Sequence, residues 1–342
     1  MIWMNYHIIF FCSSAVDEIW IRSTLTSLSR FKVKFCIIIY GSVSKEILSF
    51  YKNKGIKLIV VSKLSQVKKY SAKIFISAST NVERIFFSKK IKYWVHMPHS
   101  LVSLHGAYPN NAFDAYNTLF ASTPYHATEF RKIAEKRNFS DINIFETGYG
   151  KLDVLHEKIP NSKYPFSNHH VLIAPSWGDG NILENIGFDL IEALLKKNYH
   201  VTLRPHSMFY LDKKKYLEPF LSIDHKNFEI ENFSESNAMY KSDILITDFS
   251  GIAFEYYYVK NRKIIFVNTS AKIINEDFVS YDLPLFEAEY RKNFGLVVPC
   301  DLDATLEGVK KEYQRLLAPD YIFNIGKCGM IASHQIIDLL EK

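Results

Sequence analysis

Short apolar runs alternate with longer amphipathic stretches along most of the chain. His7–Cys12, Val33–Tyr40, Ile56–Ser62, Lys73–Ser77, Lys92–His96 and Thr118–Ser122 have the length and the Ile/Val/Phe/Tyr content of strands. Val16–Arg30, Lys45–Lys54 and Pro124–Arg137 have helical spacing. The last is opened by Ser122-Thr123-Pro124, where the missing proline N–H does no harm. A polar stretch, Glu157–Asn168, carries Pro160 and Pro165 and reads as a linker. A second series follows it. Its strands are His170–Ala174, His200–Arg204, Phe228–Glu231, Ile244–Thr247 and Lys263–Val267. Helical patterns at Ile182–Lys197, Tyr210–Leu221, Ser236–Lys241 and Ile252–Val259 separate them, and the tail reads as helices at Ala304–Leu317 and Met330–Lys342.

The strand runs are continuous rather than alternating, which implies parallel sheets covered on both faces. The pattern predicts an α/β protein of two doubly wound, Rossmann-like halves, residues 1–160 and 161–342, with the last helix packing back on the first half. In such a fold a ligand lies between the halves, beyond the C-terminal ends of the strands. Residues just after strands therefore carry the functional reading.

Composition narrows this little. With 48% hydrophobic and 23% charged residues the 342-residue chain is an ordinary globular protein, neither disordered nor fibrous. A net charge of +6 suits anionic substrates or an anionic membrane surface about as well as nucleic acid; the basic clusters are short and read as solvated faces, and no nucleic-acid partner is expected. Four scattered cysteines predict neither a disulfide framework nor a metal site and fit a reducing cytoplasm. No run reaches the roughly 18 apolar residues of a membrane span. The apolar run Tyr6–Cys12 lacks the flanks of a signal peptide and reads as a buried first strand.

Five segments after strands hold the candidate chemistry. In Tyr93-Trp94-Val95-His96-Met97-Pro98-His99, extended by His105-Gly106, a strand exits at a histidine whose pKa range suits a general base. Hydrogen-bonded turn histidines are the competing reading, and without a nearby Cys or carboxylate zinc is disfavoured. Gly148-Tyr149-Gly150-Lys151 brings backbone amides and a cation that can face an anion. Ala174-Pro175-Ser176-Trp177-Gly178 precedes a helix, so its amides form a possible phosphate cradle, while Trp177 either stacks on a base or caps the core. Arg204 and His206, in Leu203-Arg204-Pro205-His206, are donors suited to phosphate, with an internal carboxylate as the ordinary alternative for the arginine. Finally, Thr247-Asp248-Phe249-Ser250-Gly251 ends a strand and opens a helix, with Ser250 as the expected N-cap. Asp301-Leu302-Asp303 reads as a helix cap rather than a metal site.

In this order the segments resemble the CDP-glycerol glycerophosphotransferase family of teichoic-acid and capsular polymer synthesis. Leu203-Arg204-Pro205-His206 and Ser242-Asp243 through Ser250 are the specific matches. The chain departs from the family pattern at Gly148–Lys151, where the family has proline and arginine, at Gly178, where an arginine usually follows the tryptophan, and at Gly251, which replaces a second serine. The resemblance implies a GT-B fold and transfer of a polyol phosphate, glycerol phosphate first, from a CDP-linked donor to a polysaccharide or lipid-linked acceptor. It implies donor binding by Arg204, His206, Thr247, Asp248, Ser250, Gly251, Ser176, Trp177, Gly148 and Lys151. His96 is then the base candidate, with His99 its competitor. No cofactor is expected, metal dependence is open, and the enzyme is expected in the cytoplasm, touching the inner leaflet. A GT-B glycosyltransferase using a nucleotide sugar and a non-catalytic binding protein of the same fold are the alternatives. Glu255 is not followed by a second glutamate at the spacing of retaining sugar transferases, since Lys263 stands there.

Overall fold

A computed structural model describes residues 4–159, 169–211, 214–232, 237–312, 314 and 320–342. Most of the expected linker, residues 160–168, lies outside the described residues. So do residues 212–213 and 236 of two expected helices and residues 313 and 315–317 of the expected helix Ala304–Leu317.

The strands of the main sheet of the first half are β1 (Ile8–Cys12), β2 (Phe35–Tyr40), β3 (Leu58–Val61), β4 (Ile74–Ser77), β5 (Tyr93–His96), β6 (Thr118–Ala121) and β7 (Asn143–Glu146), beside a separate short parallel pair at Met4–Asn5 and Tyr70–Ser71. The seven main strands are ordered β3-β2-β1-β4-β5-β6-β7, every pair parallel. The second half contributes β8 (His170–Ile173), β9 (His200–Leu203), β10 (Phe228–Ile230), β11 (Ile244–Thr247), β12 (Lys263–Asn268) and β13 (Leu296–Pro299). These build a six-stranded parallel sheet in the order β10-β9-β8-β11-β12-β13. Both orders reverse direction between the first and fourth strands, and in such sheets ligands bind at that switch point, outside the strand C-termini. The architecture is α/β of the GT-B type.

Each sheet is buried on both faces. Phe11, Phe75, Trp94 and Phe130 pack on one side of the first sheet. Phe10, Ile37 and the helix Glu18–Leu28 pack on the other, together with Cys328, Ala332 and Ile336 of the final helix Cys328–Glu341. In the second sheet, one face carries Ile173, Ile191 and Leu203. The other gathers Leu172, Phe254 and Phe266 with Leu101 and Tyr149 from the first half, so the hydrophobic core is continuous across the junction.

Local boundaries follow the chemistry of the ends. The helix Pro124–Lys136 starts where Thr123 caps it, its hydroxyl accepting the His126 amide at 2.9 Å. Asp301 caps the helix Leu302–Lys310 through the Ala304 amide at 2.8 Å, the role expected of it. The expected single helix Ile182–Lys197 is instead two, Ile182–Asn185 and Gly187–Lys196, broken at Ile186.

Candidate active site between the two sheets

The loop that leaves β5 runs from Met97 to Ser103 and lies against the second half. Gly251, at the start of the helix Ile252–Lys260, approaches it so closely that a Cβ there would stand 2.5 Å from the Ser100 hydroxyl. Gly251 is thus a contact between the halves. Ser250 does not cap this helix: the N-cap position is Gly251, and no side chain caps it. Further along, the Ser103 amide and hydroxyl both donate to Glu287 at 2.9 Å.

The three histidines of this region have different fates. His96 is buried, its ring packed against Phe113 (5.1 Å) and Tyr116 (4.9 Å), and its Nδ1 has no hydrogen-bond partner among the described residues. Burial, and next His99 and His126, push its pKa well down. His105 is committed to a buried contact of its Nδ1 with Glu129 at 2.5 Å and to the Leu283 carbonyl at 3.0 Å. Burial opposes its protonation, but Glu129 outweighs that and the pKa is raised.

His99 is partly exposed. Its Nδ1 lies 2.8 Å from the Ala78 carbonyl, beside the switch point of the first sheet, and its Nε2 lies 3.3 Å from the Tyr108 hydroxyl. Only a protonated Nδ1 makes the first of these contacts, so Nε2 is the unprotonated nitrogen and accepts the Tyr108 hydroxyl, which an acceptor hydroxyl must displace to reach it. Burial lowers its pKa, the Ala78 carbonyl opposes this, and Lys272 and Lys151 lower it further. His99 therefore lies within electrostatic reach of the second half.

Facing it are the residues after β9. Arg204 pairs with Glu231, Nε to Oε2 at 3.6 Å, so the internal carboxylate considered for it is present. His206 opens to the cleft. Its Nδ1 accepts the Met208 amide at 3.2 Å, which fixes Nε2–H as a neutral donor. Desolvation pushes the His206 pKa down, followed by Lys272, His99, Arg204 and Lys151. These cations and imidazoles thus converge on one region. Trp177 stacks on His206 at 6.1 Å and 30° and packs against the core, the second of the two roles considered for it.

Other expected donor ligands are structural. Gly148 has φ +103°, and a Cβ there would meet the Phe323 carbonyl at 2.4 Å, so it seats the C-terminal segment rather than an anion. The Thr247 hydroxyl donates to the Ala174 carbonyl at 2.7 Å. Asp248 is buried and accepts the Ser176 and Ile182 amides at 2.7 and 3.3 Å, which holds the loop after β8 in place. Ser176 serves this contact through its backbone. Burial raises the Asp248 pKa, and these amides oppose the shift.

Lys151 belongs to a network that ties the halves together. Its ammonium pairs with Glu255 at 2.7 Å, and the Tyr149 hydroxyl donates to the same carboxylate at 2.8 Å while accepting the Trp20 indole N–H at 2.8 Å. Burial lowers the Lys151 pKa, with Glu255 opposing. Two cations escaped the sequence reading. Lys272 follows β12 and stands over Trp177. Arg291 is buried over Phe249 at 4.3 Å and donates to Asn268 at 2.5 Å. Each lies just beyond a strand or packs on a residue that does, the signal that should have flagged them. Among the described residues no three His, Cys, Asp or Glu side chains form a metal-ligand group, and no helix is long and apolar enough to cross a membrane.

Residues 105–273 match the model of the CDP-glycerol:poly(glycerophosphate) glycerophosphotransferase family. Through this segment, just under half of its length, the chain is similar to that family. The glycerophosphotransferase match takes in Lys151, Trp177, Arg204, His206 and Lys272 and begins after His96 and His99. The teichoic acid glycerol-phosphate transferase of Staphylococcus aureus (strain NCTC 8325 / PS 47) is 26% identical over 198 residues, 52% of this chain and 44% of that protein. The match thus spans less than half of this curated relative. Among solved structures, the wall teichoic acid polymerase TagF aligns with TM-score 0.58 at 17% identity, covering 98% of this chain and 89% of that one. A UDP-N-acetylglucosamine 2-epimerase from Rickettsia bellii aligns with TM-score 0.61 at 12% identity, over 98% and 96%. At these identities the two structures share the fold with this chain.

Proposed function

We propose that this protein transfers glycerol phosphate from CDP-glycerol to a hydroxyl of a cell-surface polysaccharide or lipid-linked acceptor and releases CMP. The observation that carries this is the meeting of His99, His206, Lys151, Arg204 and Lys272 beyond strand C-termini of the two sheets, where Lys272, His99, Arg204 and Lys151 all lower the pKa of His206. Mutual repulsion of this kind is relieved by a bound polyanion, and a nucleoside diphosphate has the required charge and size. The family match and the staphylococcal glycerol-phosphate transferase supply the donor class, and a TagF structure was obtained after soaking with CDPG.

In this reading His99, not His96, is the general base. Support comes from its neutral state, its fixed tautomer and its exposure, whereas His96 is enclosed by Phe113 and Tyr116. The acceptor hydroxyl loses its proton to His99 Nε2 as its oxygen attacks the distal phosphorus. The bond from that phosphorus to the bridging oxygen breaks, and the electron pair leaves with CMP. Positioning and charge neutralisation supply most of the rate in such displacements. His206 donates Nε2–H without adding charge, while Lys151 and Arg204 offset the anion. The Asp248-held loop presents Ser176 and Trp177 to the donor.

The test is CMP release with CDP-glycerol, CDP-ribitol and UDP- or CMP-sugars as donors. Release from CDP-glycerol supports the proposal, and nucleotide release from a sugar donor alone replaces it with a glycosyltransferase. We also propose that the protein works in the cytoplasm at the inner leaflet, where its net charge of +6 favours anionic lipid. Flotation with anionic liposomes tests this, and failure to float removes it.

A further inference from the structure

Lys272 lies four residues past Asn268, the end of β12, in a stretch that no motif marks. Its ammonium stands 4.6 Å above the Trp177 ring, and Trp177 is stacked on His206. Its stem is held against the loop after β8: a Cβ at Gly178 would come within 2.9 Å of the lysine Cβ and Cγ. Among the described residues no carboxylate forms an ion pair with it. Asp248 and Glu287 act on it from a distance, and its field in turn lowers the pKa values of His206 and His99. An indole face steadies an ammonium without occupying its N–H donors, which remain free for an acceptor. The lysine is thus positioned but not neutralised, at the centre of the imidazole and cation cluster.

We infer that Lys272 grips the diphosphate of the nucleotide donor from above Trp177, opposite the His206 donor. The inference rests on reading the cleft as a diphosphate site. Because burial holds the Lys272 pKa down to about 8 in the empty protein, the contact is available below that pH and is lost as pH rises through it.

The experiment is calorimetric titration of the full chain with CDP, inorganic pyrophosphate and cytidine, comparing wild type, Lys272→Met and Lys272→Arg. Methionine keeps the apolar stem over Trp177 and removes the charge. A charge-assisted hydrogen bond predicts a loss of about tenfold or more in CDP and pyrophosphate affinity at pH 7, with cytidine affinity unchanged. Lys272→Arg retains most of the affinity. Wild-type CDP affinity falls above pH 8, whereas Lys272→Met shows no such fall. Gly178→Ala, which displaces the stem while leaving the charge, weakens CDP in the same direction and serves if the methionine variant does not fold. A loss of less than about fivefold in Lys272→Met, a pH-8 fall that persists without the lysine, or a wild type that binds neither CDP nor pyrophosphate overturns the inference. If pyrophosphate binding depends on Lys272 but CDP-glycerol is never turned over, the clamp stands and the donor assignment fails. If Lys272→Met turns over CDP-glycerol with an unchanged KM, the clamp fails and the transferase reading stands.

Discussion

Replacing His99 by alanine removes the proposed base, whose tautomer is set by the Ala78 carbonyl at 2.8 Å. A positioned general base contributes about 10²–10⁴-fold, so kcat with CDP-glycerol should fall by that factor, equivalent to roughly 3–5 kcal/mol of transition-state stabilisation. The structural loss is far smaller. One well-formed hydrogen bond and edge contacts to Trp20 (5.5 Å) and Tyr108 (5.3 Å) disappear, which amounts to about 0.5–1.5 kcal/mol for the bond. The variant should therefore fold, bind CDP and fail in turnover. His96→Leu is the control. The buried His96 Nδ1 has no partner, and an unsatisfied buried polar atom costs about 1–3 kcal/mol, so leucine should leave stability equal or higher and turnover intact. The assay is steady-state CMP release beside a denaturant midpoint for each variant. Its pH profile adds a second check: His99 must be neutral, and its pKa is lowered from the ordinary histidine value, so kcat/KM should fall on the acid side only below about 6.5. His99→Ala at wild-type turnover, with His96→Leu reduced a hundredfold, refutes the reasoning and moves the base to His96.

Glu255→Ala leaves Lys151 buried without its partner and cuts the Tyr149 link between the halves, so unfolding free energy should drop by about 3–5 kcal/mol in urea titration. Gly148→Ala combines a φ of +103° with a Cβ 2.4 Å from the Phe323 carbonyl; it should destabilise by about 1–3 kcal/mol while leaving the CDP affinity of the folded fraction unchanged. Asp248→Asn turns an amide donor toward the Ser176 or Ile182 N–H, and should weaken CDP binding through the loop after β8, read as a raised KM for the donor.

Both parallel sheets were legible because their central strands are unbroken runs of Ile, Val and Phe, buried on both faces. The edge strands β7 and β13 were not. Asn143–Glu146 and Leu296–Pro299 are short and half exposed, so their composition resembles loop. The position of the site was legible from strand ends, but the division of labour within it was not. Thr247 and Asp248 look like ligands in sequence, yet their oxygens are used by backbone across the sheet. The histidine ranking had a usable clue: side chains two apart on a strand share a face, and His96 follows Trp94 toward the core that holds Phe113 and Tyr116. The departures from the family pattern also have local reasons. Gly251 leaves room for Ser100, and Gly178 leaves room for the stem of Lys272, a relation between distant segments that only the folded chain reveals.

The most direct test of the account is the titration of CDP-glycerol against the purified protein with CMP release as the readout. The expected result is saturable release of CMP that requires an acceptor hydroxyl and disappears in His99→Ala while donor binding persists. Absence of binding by CDP-glycerol, or release of nucleotide only from a sugar donor, contradicts it.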